Sequence, residues 1–89
     1  MEIEFDPAKD AANIAKHGIS LARVGELKIL AVTEKSRPQE GERRFRIYGL
    51  LQEEAYCTVL TWRHHVARAI SLRKANRMER KRYGLQDGN

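Results

Sequence analysis

Two short interruptions, Gln52-Glu53-Glu54 and Arg63-His64-His65, divide residues 45–73 into three stretches, and that spacing decides most of the architecture open to this chain. Phe45, Ile47, Gly49 and Leu51 alternate with Arg44, Arg46, Tyr48 and Leu50, the period of two that a strand requires. Residues 56–62 are dense in β-branched and aromatic side chains, and residues 66–73 continue the pattern. Loops this short join antiparallel neighbours, whereas a parallel crossover needs roughly a dozen residues. The sequence therefore predicts a three-stranded antiparallel meander, with Trp62 expected in its core because its strand is the middle one.

Ahead of the meander the signals are helical. Ile3 and Phe5 alternate with acidic residues as a short strand or lead-in, and Asp6-Pro7 supplies an N-cap and a first-turn proline. Ala8, Ala11, Ala12 and Ala15 recur at helical spacing, which predicts a flat face packed closely on a neighbour, and Gly18 reads as the stop. Lys9, Asn13, Lys16 and His17 fall on another side. Ser20 caps a second short helix carrying Leu21, Val24 and Leu27, expected to end near Leu30, with a short strand at residues 32–35 and turn chemistry at 36–41.

After Arg73 the period changes to that of a basic helix over residues 74–83, carrying Lys74, Arg77 and Lys81 at i, i+3 and i+7. It is too polar to stand alone, so Ala75, Met78 and Leu85 are expected to pin it to the sheet. Residues 1–42 hold six Lys and Arg against eight Asp and Glu, and residues 43–89 hold eleven against four, so the halves carry −2 and +7. Such a dipolar chain draws a polyanion to its C-terminal half.

Eighty-nine residues make one domain, expected to span residues 1–85 with a frayed tail at 86–89, and leave little room for a large cofactor. Cys57 is the only cysteine, so no disulfide forms within the chain, which suits a reducing, cytoplasmic location. The acidic start has no apolar run behind it, so neither a signal peptide nor a membrane span is expected. No metal site is expected either: His64 and His65 are adjacent, and His17 and Cys57 add no second cysteine or carboxylate pair. Ser71 lacks the context of a nucleophile and reads as a small strand residue.

The order and spacing of Phe5-Asp6-Pro7-Ala8-Lys9, Asn13, Lys16-His17-Gly18-Ile19-Ser20, Gly41-Glu42-Arg43-Arg44, Arg68-Ala69-Ile70-Ser71, Arg73, Glu79 and Tyr83 resemble the BrnT family of type II toxins. Phe5 stands where that family usually has tryptophan, and residues 27–31 lack its usual Phe-x-Asp-Pro ending of the second helix. The resemblance implies an α+β, RelE-like fold, with two N-terminal helices packed on an antiparallel meander and a basic C-terminal helix. It also implies an endoribonuclease that works without metal or other cofactor by attack of the 2′-hydroxyl on the adjacent phosphate. Its partners would be RNA and a BrnA-like antitoxin, the complex contacting operator DNA through the antitoxin.

Metal-free RNA cleavage needs cations where charge builds on the phosphoryl group and groups that take and give protons. Arg68 and Arg73 suit the first task, although residues five apart on a regular strand start from opposite faces, and either can instead pair with a carboxylate. His17, at a helix C-terminus, suits the second task; Lys9, on the same helix side and placed in the catalytic set, suits phosphate binding, as does Asn13; and Tyr83 is able to stack on a base or donate its hydroxyl. Glu79 orients Tyr83 or offsets its basic neighbours. Asn13, Lys16, Arg43, Arg77 and Arg80 are expected to bind RNA. An ordinary solvated helix face predicts several of the same residues, and a non-catalytic nucleic-acid-binding or interaction module on this fold needs only the cations. A catalyst is expected to bring Arg68, Arg73, His17 and Lys9 to one cleft.

Overall fold

The computed structural model describes residues 2–34 and 43–85. Strand β1 (Ile3–Glu4) leads into helix α1 (Pro7–His17) and a 3₁₀ helix (Leu21–Glu26); strands β2 (Lys28–Glu34), β3 (Arg44–Leu51), β4 (Glu54–Arg63) and β5 (Val66–Lys74) come next, and helix α2 (Arg77–Arg82) closes the domain. The sheet has the order β1-β5-β4-β3-β2, with β1 parallel to β5 and every other pair antiparallel. The fold is thus α+β on a mixed five-stranded sheet, with a meander one strand longer than expected. The expected turn at 36–41 and the frayed tail at 86–89 lie outside the described residues.

The short strand expected at 32–35 begins earlier, at Lys28, and this corrects the expected end of the second helix near Leu30. Leu27 is already extended (φ −65°, ψ 132°), and β2 begins at Lys28. The alternation there is hard to read because β2 carries a bulge between Ile29 and Ala31, which breaks the period of two. Gly49 faces this irregularity; a Cβ there would lie 3.1 Å from the Lys28 carbonyl carbon.

Helix α1 has the expected limits. The Asp6 side chain accepts from the Ala8 N–H at 2.9 Å, Pro7 fills the first turn, and Gly18 adopts φ 73°. Its seam is not the expected one: Ala8, Ala11, Ala12 and Ala15 are exposed, and the buried residue is Asn13. β1 pairs with β5 only at Ala67 and Arg68. Farther along β5 the Asn13 amide stands in for a strand, donating to the Leu72 and Ile19 carbonyls at 2.9 Å each and accepting from the Leu72 N–H at 3.1 Å. Asp10 completes the dock by accepting from Ser20 Oγ and the Leu21 N–H. Polar contacts to backbone thus hold α1, and the small alanines remain in solvent.

The sheet has a core on each face. On one, Leu21, Val24, Ile47, Leu60, Ala67, Ala69 and Leu72 pack together under the helices. On the other, Tyr48, Ala55, Cys57, Ala75 and Leu85 pack with Tyr83 where α2 returns. Ala75 and Leu85 pin α2 as expected, but Met78 is 81% exposed. The reason is local: α2 starts only at Arg77, with Asn76 and Glu79 forming a capping box, which turns Met78 outward. Trp62 is also exposed, because α1 and the 3₁₀ helix lie over β5 and their cover stops short of the end of β4. It lines an apolar depression with Val32, Phe45 and Leu60.

Both hairpins in the described meander turn on two residues, Gln52-Glu53 and His64-His65, all four with φ between 47° and 68°. These left-handed positions favour Asn or Gly, so side chains with a Cβ occupy them at a cost in stability.

Candidate active site

The β5 strand does not keep the alternation its sequence suggests. Val59 pairs with Ser71 and Leu60 with Ala69, so Ile70 is an extra residue that switches the parity of the residues after it. Arg68 pairs across from Thr61 and Arg73 from Cys57, residues four apart on β4, and the two arginines therefore share a face. This corrects the expectation of opposite faces. The same face carries three rows across β3, β4 and β5: Arg44, Thr61 and Arg68; Arg46, Val59 and Ser71; Tyr48, Cys57 and Arg73. Arginines on two outer strands thus flank a strip of small, uncharged residues about 10 Å wide, the spacing of two strand intervals.

At one end of this strip Glu79 gathers four donors. Its carboxylate accepts from Arg73 at 2.7 and 2.9 Å, from the Asn76 N–H at 2.9 Å and from the Tyr48 hydroxyl at 3.2 Å. The bidentate guanidinium holds the carboxyl down to about 2 against the opposing effect of burial, and keeps Arg73 charged beyond its ordinary range. Burial pushes Tyr48 up to about 12, with the Arg46 side chain acting in the other direction, so Tyr48 stays neutral and donates. Its ring stacks on Tyr83, the centroids 4.3 Å apart. Burial also pushes the Cys57 thiol up, which keeps it protonated and unreactive.

Because Glu79 has its carboxyl pKa lowered by folding, the stability it contributes is complete above the unfolded value near 4.5 and is lost as pH falls toward about 2. Thermal midpoints should hold steady above pH 5 and drop between roughly pH 4.5 and 2. Glu79→Gln should be less stable at neutral pH and lack that part of the acid drop; an unaltered acid profile would refute the assignment.

The remaining expected residues divide among other places. Lys9, Lys16 and His17 share a shallow cleft with Asn13, Ile70 and Ser71, and Tyr83 lines a different one with Tyr48, Glu79, Lys81 and Arg82. The expected single cleft is thus not formed: Lys9 and His17 line one recess while Arg68 and Arg73 lie on the sheet face, so a catalyst using all four together is ruled out and a reaction would belong to one region alone. Asn13 lines its cleft but is buried, and its amide is taken up by Leu72 and Ile19, so its work is structural. Arg68 pairs with Glu4 at 3.2 Å, and Arg43 pairs with Glu34 and lies over the Phe45 ring, on the face away from α2. Arg77 is exposed, and Arg80 donates to the Ala75 carbonyl at 2.8 Å. Among the described residues no three His, Cys, Asp or Glu side chains are grouped to hold a metal ion, and no helix is long and apolar enough to cross a membrane.

The family model described as "Ribonuclease toxin, BrnT, of type II toxin-antitoxin system" matches residues 5–79. The chain belongs to the BrnT family. The matched span begins just after β1, runs through the Arg73–Glu79 pair and so takes in all three rows of the arginine face. Membership in a family of ribonuclease toxins implies an RNA substrate and an antitoxin partner. No match to the chain is found among curated proteins.

Sequence reasoning passed over Arg46 and Tyr48. Their signal was present: Arg44, Arg46 and Tyr48 occupy the polar phase of a strand whose other phase is Phe45 and Ile47. A polar phase with two arginines and a tyrosine marks a face kept clear for a ligand as readily as one left to solvent.

Proposed function

We propose that this BrnT protein is an endoribonuclease toxin whose reaction takes place on the arginine face of the sheet. The observation that carries the reading is the convergence of arginines from β3 and β5 on one face beside the Tyr48–Glu79–Tyr83 group. Arg73, oriented by Glu79, and Arg68, displaced from Glu4, offset charge on the phosphoryl oxygens as the 2′-hydroxyl attacks. The 2′-oxygen bonds to phosphorus, the bond to the 5′-oxygen breaks, and a 2′,3′-cyclic phosphate and a 5′-hydroxyl result. The proton of the 2′-hydroxyl leaves to solvent water as the 2′-oxygen attacks, and the Tyr83 hydroxyl donates a proton to the leaving oxygen and regains one from water. Lys9, Lys16 and His17 hold the flanking backbone where the strand passes over Ser71, and Arg77 and Arg80 extend the surface along α2. Arg43, on the other face, contacts RNA only beyond the reacting segment.

The 2′-hydroxyl route places no metal in the reaction. Growth arrest in the cytoplasm would follow from loss of translated RNA, and a BrnA-like antitoxin, covering the basic half and carrying the complex to operator DNA, would restrain it. The test is cleavage of a defined RNA by the purified chain in excess chelator. Products ending in 2′,3′-cyclic phosphate are expected, with no cleavage when the 2′-hydroxyl at the scissile position is removed. Activity that vanishes with chelator and returns with a divalent ion would overturn the metal-free route. Salt-dependent binding without cleavage would leave the domain a nucleic-acid-binding module.

A further inference from the structure

Most arginines with a described partner have their charge answered by a carboxylate: Arg23 by Glu26, Arg43 by Glu34, Arg68 by Glu4 and Arg73 by Glu79. Arg46 differs. Its Nε is a buried side-chain donor with no hydrogen-bond partner among the described residues, an arrangement proteins seldom retain because it costs stability and returns nothing. The residue lies in the middle row of the arginine face and lines the cleft that Tyr48, Glu79, Lys81, Arg82 and Tyr83 also border. That cleft brings the cations of α2 opposite a donor that lacks an acceptor. Tyr48 accepts a hydrogen bond from the Arg46 side chain but cannot serve as the anion or answer the Nε–H, since it stays neutral and its own hydrogen goes to Glu79. Nor can Glu79, whose two oxygens already receive four donors.

We infer that Arg46 is a phosphate ligand, its Nε–H and terminal N–H groups gripping a phosphodiester oxygen of bound RNA in the cleft between β3 and α2. The inference rests on the ribonuclease reading and adds a third cation to Arg73 and Arg68. Arg46 and Arg73 flank Cys57 from neighbouring rows, and both charges are felt at its thiol, so a phosphodiester lying over β4 meets one guanidinium from each side. Tyr48 then has a positioning role, its ring carried by Tyr83 and its hydroxyl by Glu79. A lysine at position 46 would keep the charge but lack the fork that reaches two phosphate oxygens.

The arginine Nε–Hε signals of the ¹⁵N-labelled full chain report this directly. Arg46 is assigned by the signal missing from Arg46→Lys, and the titrant is a 2′-O-methylated RNA hexamer, which binds but cannot be cleaved. The Arg46 signal should shift and saturate while that of Arg23 stays in place. Arg46→Lys should bind the hexamer about tenfold more weakly and cleave unmodified RNA about a hundredfold more slowly, with its thermal midpoint unchanged or raised. An Arg46 signal that stays fixed at saturation, or a lysine variant that binds and cleaves as the parent does, would overturn the inference. If the signal shifts and the parent chain cleaves no RNA, the anion site stands and the ribonuclease reading falls.

Discussion

Replacing Asn13 with alanine is expected to cost about 3 kcal/mol, a loss that would lower the thermal midpoint of a domain this size by roughly 12–24 °C. The side chain is short and polar, and nothing in its size suggests such an effect. Its amide, however, serves the Leu72 N–H, the Leu72 carbonyl and the Ile19 carbonyl together, and removing it strands three backbone groups where α1 meets β5. Asn13→Asp keeps the acceptor for Leu72 but sets a buried carboxylate oxygen against the Leu72 and Ile19 carbonyls, so it should cost at least as much as alanine. Denaturant melts with unchanged m-values would check this, and an alanine variant within about 0.5 kcal/mol of the parent would show that α1 docks by other means.

The second large effect is on activity. Arg73→Lys should slow cleavage by about a hundred- to a thousandfold, the range for losing one donor aimed at developing phosphoryl charge. Lysine is the informative replacement. Alanine would leave the Glu79 carboxylate without its main partner and loosen α2, so that lost activity and lost structure would be confused. A lysine keeps a cation beside Glu79 and gives up the planar fork that meets Glu79 and a phosphate at once.

Much of this architecture is legible in local chemistry. Asp6-Pro7 and Gly18 mark the ends of α1 through groups within a turn of them, and alternation from Phe45 onward marks β3. The features that escape the sequence depend on partners far away in it. The alanines of α1 suggest a packed face, yet the dock depends on how Asn13 meets Leu72, 59 residues later. The five-residue gap between Arg68 and Arg73 implies opposite faces until the Ile70 bulge is seen, and nothing in Ala69-Ile70-Ser71 announces it. Glu79 is visible as a carboxylate among cations, but its pairing with Arg73 requires the chain to fold back across Ala75 and Asn76. The family resemblance singled out Arg68 and Arg73, and the sheet register shows that the two share a face.

The measurement that bears most directly on the central claim is single-turnover cleavage of one RNA, at one pH, by Arg73→Lys and His17→Ala, each shown by its melting curve to be folded. If the reaction belongs to the sheet face, Arg73→Lys should lose about a hundredfold or more, and His17→Ala, removing only a contact to flanking backbone, about tenfold or less. The reverse order, with His17→Ala inactive and Arg73→Lys near the parent rate, would move the chemistry to the α1 cleft and contradict this account.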